Sequence, residues 1–105
     1  MNRLSTHVLD TSIGKPAAGV PVRLFRLDDE IGAGVTDADG RCQNLLPPGA
    51  TLSPGIYKLV FAITAYLPNG LYPEITITFK VPAGATHYHI PLLLSPFGYT
   101  TYRGS

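Results

Sequence analysis

The 105-residue sequence has little that would support a disulfide framework, a charged binding surface or a membrane span. Cys42 is its one cysteine, which excludes an internal disulfide and a multi-cysteine zinc site and predicts a buried thiol. The formal net charge of +1 provides no basic field that would hold nucleic acid. There is no apolar run long enough to cross a bilayer, and residues 2–7 show no apolar core of a signal peptide. We therefore expect a cytoplasmic protein without nucleic-acid or membrane partners.

Glycine and proline, in contrast, are abundant, with 11 and 10 copies, which predicts many turns between short elements. The hydrophobic fraction of 45% is too high for a disordered chain. A chain of this length is sufficient for one ordinary hydrophobic core. We therefore expect residues 1–105 to form a single domain.

Hydrophobic periodicity predicts seven or eight short β-strands. Alternation is clearest over residues 75–81, and six other segments have strand character: 4–9, 20–25, 31–36, 56–63, 87–94 and 99–103. Gly32 and Gly34 weaken the third of these strands. We expect at most one helical turn in the connection formed by residues 64–73. Short strands separated by turns are typical of an antiparallel β-sandwich.

Residues 37–42 have the chemistry of a turn. Asp39-Gly40 is a favoured hairpin pair, and it presents Arg41 directly after the bend. The aspartates suggest a calcium loop, but the twelve-residue ligand pattern and its terminal glutamate are missing. We therefore expect a turn that exposes an arginine, without calcium.

The 87–94 segment carries two of the three histidines. Because alternate side chains of a strand share a face, one face bears His87, His89, Pro91 and Leu93, and the other bears Tyr88, Ile90, Leu92 and Leu94. His7 shares its face of the first strand with Leu9. Both faces of the 87–94 strand are largely apolar, although a sandwich core covers only one. A partner subunit is the economical cover for the other.

Imidazole, guanidinium and hydroxyl groups remain as candidates for chemistry. This set suits activation of water at a carbonyl, with a histidine taking a proton and Arg41 stabilising the oxyanion. Zinc at His87 and His89 lacks an evident third ligand, so no metal is expected. The alternative is that each histidine is an ordinary core or surface residue. Periodicity alone does not name a substrate.

Four motifs, in order, resemble those of a known family. They are residues 4–11 with 14–20 (LSTHVLDT and GKPAAGV), 39–42 (DGRC), 87–96 (HYHIPLLLSP) and 102–105 (YRGS). They resemble the signatures of the 5-hydroxyisourate hydrolases, the transthyretin-related enzymes of urate breakdown. The resemblance extends over essentially the whole chain. It departs from the family only between Tyr66 and Tyr72, where the usual connection is longer and helical.

The resemblance implies an all-β fold, a transthyretin-like antiparallel β-sandwich of two four-stranded sheets with at most one short helix. It also implies a homotetramer, a dimer of dimers, with two active sites in the channel between the dimers. The implied reaction opens the ring of 5-hydroxyisourate with water, giving 2-oxo-4-hydroxy-4-carboxy-5-ureidoimidazoline without metal or organic cofactor. The alternative is a transthyretin-like carrier of small ligands. Transthyretin lacks the histidine pair and the Tyr-Arg-Gly-Ser ending, so the hydrolase is favoured.

Site residues follow from the motifs by the same resemblance. His7, Arg41, His89 and Ser105 are carried over as catalytic residues, and Tyr102 is expected to bind substrate together with His7 and Arg41. We hypothesise that His7 and His89, from facing strands or subunits, hold and deprotonate the water. Which of them is the base stays open.

Arg103 lies between two residues that the resemblance places in the site. Strand alternation points its side chain away from Tyr102. We therefore expect Arg103 to form a structural ion pair.

Overall fold

The computed structural model describes residues 3–104, which form two β-sheets packed face to face. The strands are β1 (Arg3–Asp10), β2 (Lys15–Pro16), β3 (Pro21–Arg26), β4 (Asp29–Val35), β5 (Arg41–Cys42), β6 (Gly55–Ala62), β7 (Glu74–Val81), β8 (His87–Ser95) and β9 (Gly98–Thr101). One turn of 3-10 helix, Ile63–Ala65, follows β6. The predicted β-sandwich with at most one short helix is confirmed, and each of the seven predicted segments contains a strand.

The two sheets differ in the pairing of their strands. The second sheet has the order β4-β3-β6-β7, with antiparallel neighbours throughout. The first sheet has the order β2-β1-β8-β9, and β5 also pairs with β1. It contains five strands rather than four because the two-residue strands β2 and β5 pair with different parts of β1. In addition, β1 and β8 run parallel, so one pair departs from the antiparallel pattern.

The core lies between the inner faces of the sheets. Its fully buried side chains include Leu4, Val8, Val22, Leu24, Tyr57, Leu59, Phe61, Ile75, Leu92 and Leu94. Burying one such side chain contributes about 1.5–3 kcal/mol relative to leaving it exposed. A one-residue slip of β8 would move Leu92 and Leu94 out of the core, so the strand register is strongly specified. The same register turns the histidines of β8 outward.

The two glycines of β4 lie where residues 42–45 pass very close to the strand. A Cβ atom on Gly32 would overlap the carbonyl oxygen of Leu45, and one on Gly34 would lie 2.6 Å from Sγ of Cys42. The glycines therefore make room for this crossing. Cys42 is buried, as expected, and this burial raises the pKa of its thiol.

No helix within residues 3–104 combines the length and the apolar character that crossing a bilayer requires.

Candidate active site

All three histidines of the protein lie on the outer face of the first sheet. In the β-ladder, His7 lies opposite Arg41 of β5 on one side and beside Pro91 of β8 on the other. His89 lies beside Ser5 of β1. The predicted separation of the two faces of β8 is confirmed: Ile90, Leu92 and Leu94 are buried in the core, so the histidines face outward. His7, Arg41 and His89 thus share one sheet face of a single protomer.

The turn at residues 37–40 fixes the position of Arg41. One carboxylate oxygen of Asp37 accepts hydrogen bonds from the backbone N–H groups of Asp39 and Arg41, at 2.9 and 3.0 Å. Gly40 has φ of 76°, and a Cβ atom there would overlap the carbonyl oxygen of Val8. The turn is therefore packed directly against β1. It presents Arg41 directly after the bend, as the sequence predicted, and the strand register places Arg41 opposite His7.

The tautomer of His7 follows from its hydrogen bond. Nε2 lies 2.8 Å from the carbonyl oxygen of Asp39. A carbonyl oxygen only accepts, so Nε2–H donates, and in the neutral ring the lone pair is on Nδ1. Asp39 therefore contributes a backbone oxygen that orients one imidazole.

His89 is held by a residue that the sequence analysis missed. Its Nδ1 lies 2.8 Å from Oγ of Ser5, and the ring is partly buried. Burial lowers the pKa of His89 from its ordinary value of 6.5, and nearby His7, Arg41 and His87 lower it further. At neutral pH the ring is therefore largely uncharged. The signal for Ser5 was its place in the LSTHVLDT motif, but only the parallel β1–β8 register puts it beside His89.

An open pocket of about 250 Å³ lies over this part of the sheet. It is lined by Arg3, Ser5, Thr6, Arg41, Gln43, His87 and His89. Two of the predicted site residues, Arg41 and His89, line it, and His7 lies next to it on β1. Arg3 and Gln43 were not predicted. Among residues 3–104, the lining contains two arginines and no carboxylate, so it suits a substrate rich in carbonyl oxygens or negative charge.

The tail segment, residues 102–104, returns to the sheet at His89. Strand β9 ends at Thr101, and its register would next place Tyr102 opposite Pro91, which has no N–H to donate. The hydroxyl of Thr101 donates to the carbonyl oxygen of Pro91 at 2.7 Å. The ladder resumes in the same register where Gly104 N–H donates to the His89 carbonyl oxygen at 2.7 Å. Pro91 is therefore accommodated in the middle of β8 by a break in the neighbouring ladder.

The predictions for the last residues of the chain fare differently. Tyr102 is 54% exposed beside this break and does not line the pocket. The ion pair expected for Arg103 is wrong: its guanidinium carbon lies 4.7 Å from the ring centroid of Tyr88, a cation–π contact. Within residues 3–104, the one salt bridge joins Arg23 and Glu30. Ser105 lies outside the described residues.

No group of three or more His, Cys, Asp or Glu side chains in the described part of the chain is arranged to hold a metal ion.

Comparison with known proteins gives a consistent result. The model of the HIUase/Transthyretin family matches residues 4–104. A 5-hydroxyisourate hydrolase of Mesorhizobium japonicum is 49% identical over 114 aligned residues, covering 98% of this chain and 92% of the relative. The structure of Klebsiella pneumoniae 5-hydroxyisourate hydrolase has a TM-score of 0.88 and 38% identity, with 100% of both chains covered. Transthyretin from Sparus aurata has a TM-score of 0.85 and 32% identity, covering 96% of this chain and 95% of its own.

Proposed function

Because this chain belongs to the HIUase/Transthyretin family, we propose that it hydrolyses 5-hydroxyisourate in urate degradation, giving 2-oxo-4-hydroxy-4-carboxy-5-ureidoimidazoline. The observation that carries the proposal is the proximity of the Arg41 guanidinium to an uncharged His89 imidazole in one pocket, with His7 on the adjacent strand. This set of groups provides both a base for water and a cation for the developing oxyanion. A ligand carrier has no need of this combination.

In the proposed reaction, His89 takes a proton from water as the water oxygen bonds to a ring carbonyl carbon. The carbon–nitrogen bond of the cyclic amide then breaks, and the proton passes to the leaving nitrogen. This role requires the Nδ1–H tautomer, in which Ser5 Oγ accepts the hydrogen bond and Nε2 carries the lone pair. We propose His89 rather than His7 as the base because His89 lines the pocket beside Arg41.

Arg41 binds the planar, carbonyl-rich substrate in this proposal. Its guanidinium offers several donors in a fixed plane, which suits two carbonyl oxygens or a developing oxyanion. His7 contributes to substrate binding from the neighbouring strand. Tyr102 and Ser105 are proposed to orient the ring, and the register of β9 directs Tyr102 to the outer face, where His7 lies.

We also propose that the protein is a cytoplasmic homotetramer, a dimer of dimers, in which the outer face of the first sheet lines a channel shared between dimers. Exposed Tyr102 at the edge of that sheet supports a covered surface, since aromatic side chains are enriched at interfaces. Sedimentation analysis of the purified protein tests the assembly, and a monomer at micromolar concentration would contradict it.

The activity is tested with freshly generated 5-hydroxyisourate. The decay of its absorbance is followed with and without protein, because the substrate also hydrolyses slowly unaided. We expect a strong acceleration proportional to protein concentration. Saturable binding of the ligand without acceleration would support the carrier alternative and contradict the proposal.

A further inference from the structure

A column of stacked groups connects the second sheet with the tail segment. Tyr57 and Phe79 stack with ring centroids 6.0 Å apart and an interplanar angle of 21°. Phe79 and Tyr88 stack at 6.3 Å and 18°. The guanidinium of Arg103 caps this column over Tyr88. The Arg103 side chain is exposed, and it is anchored through Tyr88, which is partly buried and packs against the hydrophobic core.

The next residue, Gly104, lies on the outer side against the His89 ring. A Cβ atom on Gly104 would lie 2.6 Å from Cδ2 and 3.3 Å from Cγ of His89, and 3.3 Å from Cγ of Pro91. A real Cβ atom does not approach an aromatic carbon that closely, so only glycine fits without a shift. The backbone of the tail segment therefore forms a wall against this imidazole.

From these contacts we propose that Arg103 is a positioning residue for His89. Its stack on the partly buried ring of Tyr88, on the inner side of the sheet, holds Gly104 against the imidazole on the outer side. Neighbouring residues in an extended segment point to opposite faces, so a single anchor on one face fixes the backbone on the other. The consequence for turnover rests on the proposed function, whereas the contact itself does not.

The wall matters because of what else faces His89. Three residues of β1 face it: Arg3, Ser5 and His7. Arg41 of β5 and the following Gln43 face it from the other side of β1, and His87 lies two residues before it on β8. None of these side chains is a carboxylate. Water in place of Gly104 would lessen the burial of the ring, which is the main cause of its lowered pKa. Release of the tail segment should therefore let His89 titrate closer to its ordinary value.

The decisive variant is Arg103→Gln, examined both by turnover and by NMR titration of the His89 ring. We expect kcat to fall by about two- to fivefold, the loss matching one cation–π contact, while KM changes less. We also expect the His89 titration to move upward. Arg103→Lys keeps a cation over Tyr88 and should restore part of both effects.

A matched control is Arg23→Gln on the second sheet. Arg23 lies 4.9 Å over the ring of Phe25, a similar contact that touches neither the tail segment nor His89. It should leave kcat and the His89 titration unchanged. Gly104→Ala attacks the same wall directly, and a backbone displaced from the ring should cost at least about tenfold in kcat.

The two readouts separate the two proposals. If the unaltered protein does not accelerate hydrolysis, the proposed function fails, and the His89 titration still decides whether Arg103 positions the ring. If the protein is active and Arg103→Gln matches Arg23→Gln in kcat and in the His89 titration, the positioning role is wrong. A fall in melting temperature with an unchanged titration shows a purely structural contact and also overturns it.

Discussion

The two outer faces of this sandwich are built on the same pleat but treat charge in opposite ways. On the second sheet, Arg23 donates to Glu30 at 2.6 Å and lies over Phe25. On the first sheet, Arg41 shares a pocket with His89 and Arg3, and no carboxylate from the described residues lines it. All three histidines are on this first face. On the second face Arg23 is thus paired with a carboxylate, whereas the first face gathers cationic and titratable groups.

The difference indicates which face has been shaped by function. An exposed ion pair such as Arg23–Glu30 contributes about 0–1 kcal/mol to folding and is typical of a solvated surface. Burial lowers the pKa of His89, and the neighbouring His7, Arg41 and His87 lower it further, so the folded state disfavours the charged ring. Such perturbed groups in a pocket are characteristic of functional sites.

The largest test of this contrast removes one arginine from each face. Arg41→Ala should lower kcat/KM by about 10²–10³-fold, because the oxyanion loses its main cation. Arg41→Lys keeps the charge without the planar fork and should recover only part of that loss. Arg23→Ala should leave kcat/KM unchanged. Steady-state kinetics on freshly generated substrate measures all three, and equal losses for Arg41→Ala and Arg23→Ala would remove the distinction between the faces.

The second test uses the pH dependence of kcat/KM to distinguish the roles of His89 and His7 on the first face. Because His89 must be uncharged to act as a base, kcat/KM should fall as pH drops through its lowered pKa, below 6.5. His89→Gln should lower kcat/KM by about 10²-fold or more and abolish this acidic limb. His7→Gln should weaken activity but retain the limb. The opposite result, a limb lost only in His7→Gln, would assign the base to His7.

The same shift has a consequence for folding. At pH values between the lowered pKa of His89 in the folded protein and its ordinary pKa of 6.5, the imidazole is protonated more in the unfolded chain than in the folded one. The contribution of His89 to the free energy of unfolding is therefore complete above 6.5 and is lost as pH falls through the lowered value. Urea denaturation at successive pH values, compared between the unaltered protein and His89→Gln, measures this difference.

The smallest effect is expected on the second face. Glu30→Gln removes the partner of Arg23 and should lower the free energy of unfolding by at most about 1 kcal/mol, an effect that added salt screens further. Activity should not change. A loss of activity here would show that the second face also serves the reaction.

Local patterns in the sequence predicted the strands well where one face is buried. The alternation through Ile75 and Ile77 marks β7, and the alternation around Leu92 correctly separates the two faces of β8. The two-residue strand β5 was read as a turn, because a period cannot be detected over two residues. The glycines of β4 predict a weakened strand, whereas in the structure they admit a close crossing of the chain. Local patterns do not contain such non-local contacts.

The site was predictable to a different degree. Family motifs named His7, Arg41 and His89, and the structure brings them to one sheet face. The motifs gave no geometry for Ser5, because its partner His89 comes from the parallel register. Arg103 was misassigned because alternation gives the direction of a side chain and not its partner, and the partner is an aromatic ring.

The parallel pairing of β1 with β8 also determines when the protein becomes competent. Ser5 and His89 are 84 positions apart, so their contact forms only after nearly the whole polypeptide has closed into a ring. Closing such a long loop carries an entropic cost, and topologies rich in distant contacts fold slowly, in about milliseconds to seconds. In a nascent or partly folded chain that lacks β8, His89 is not beside His7 and Ser5. Catalytic activity is therefore expected only after folding is complete.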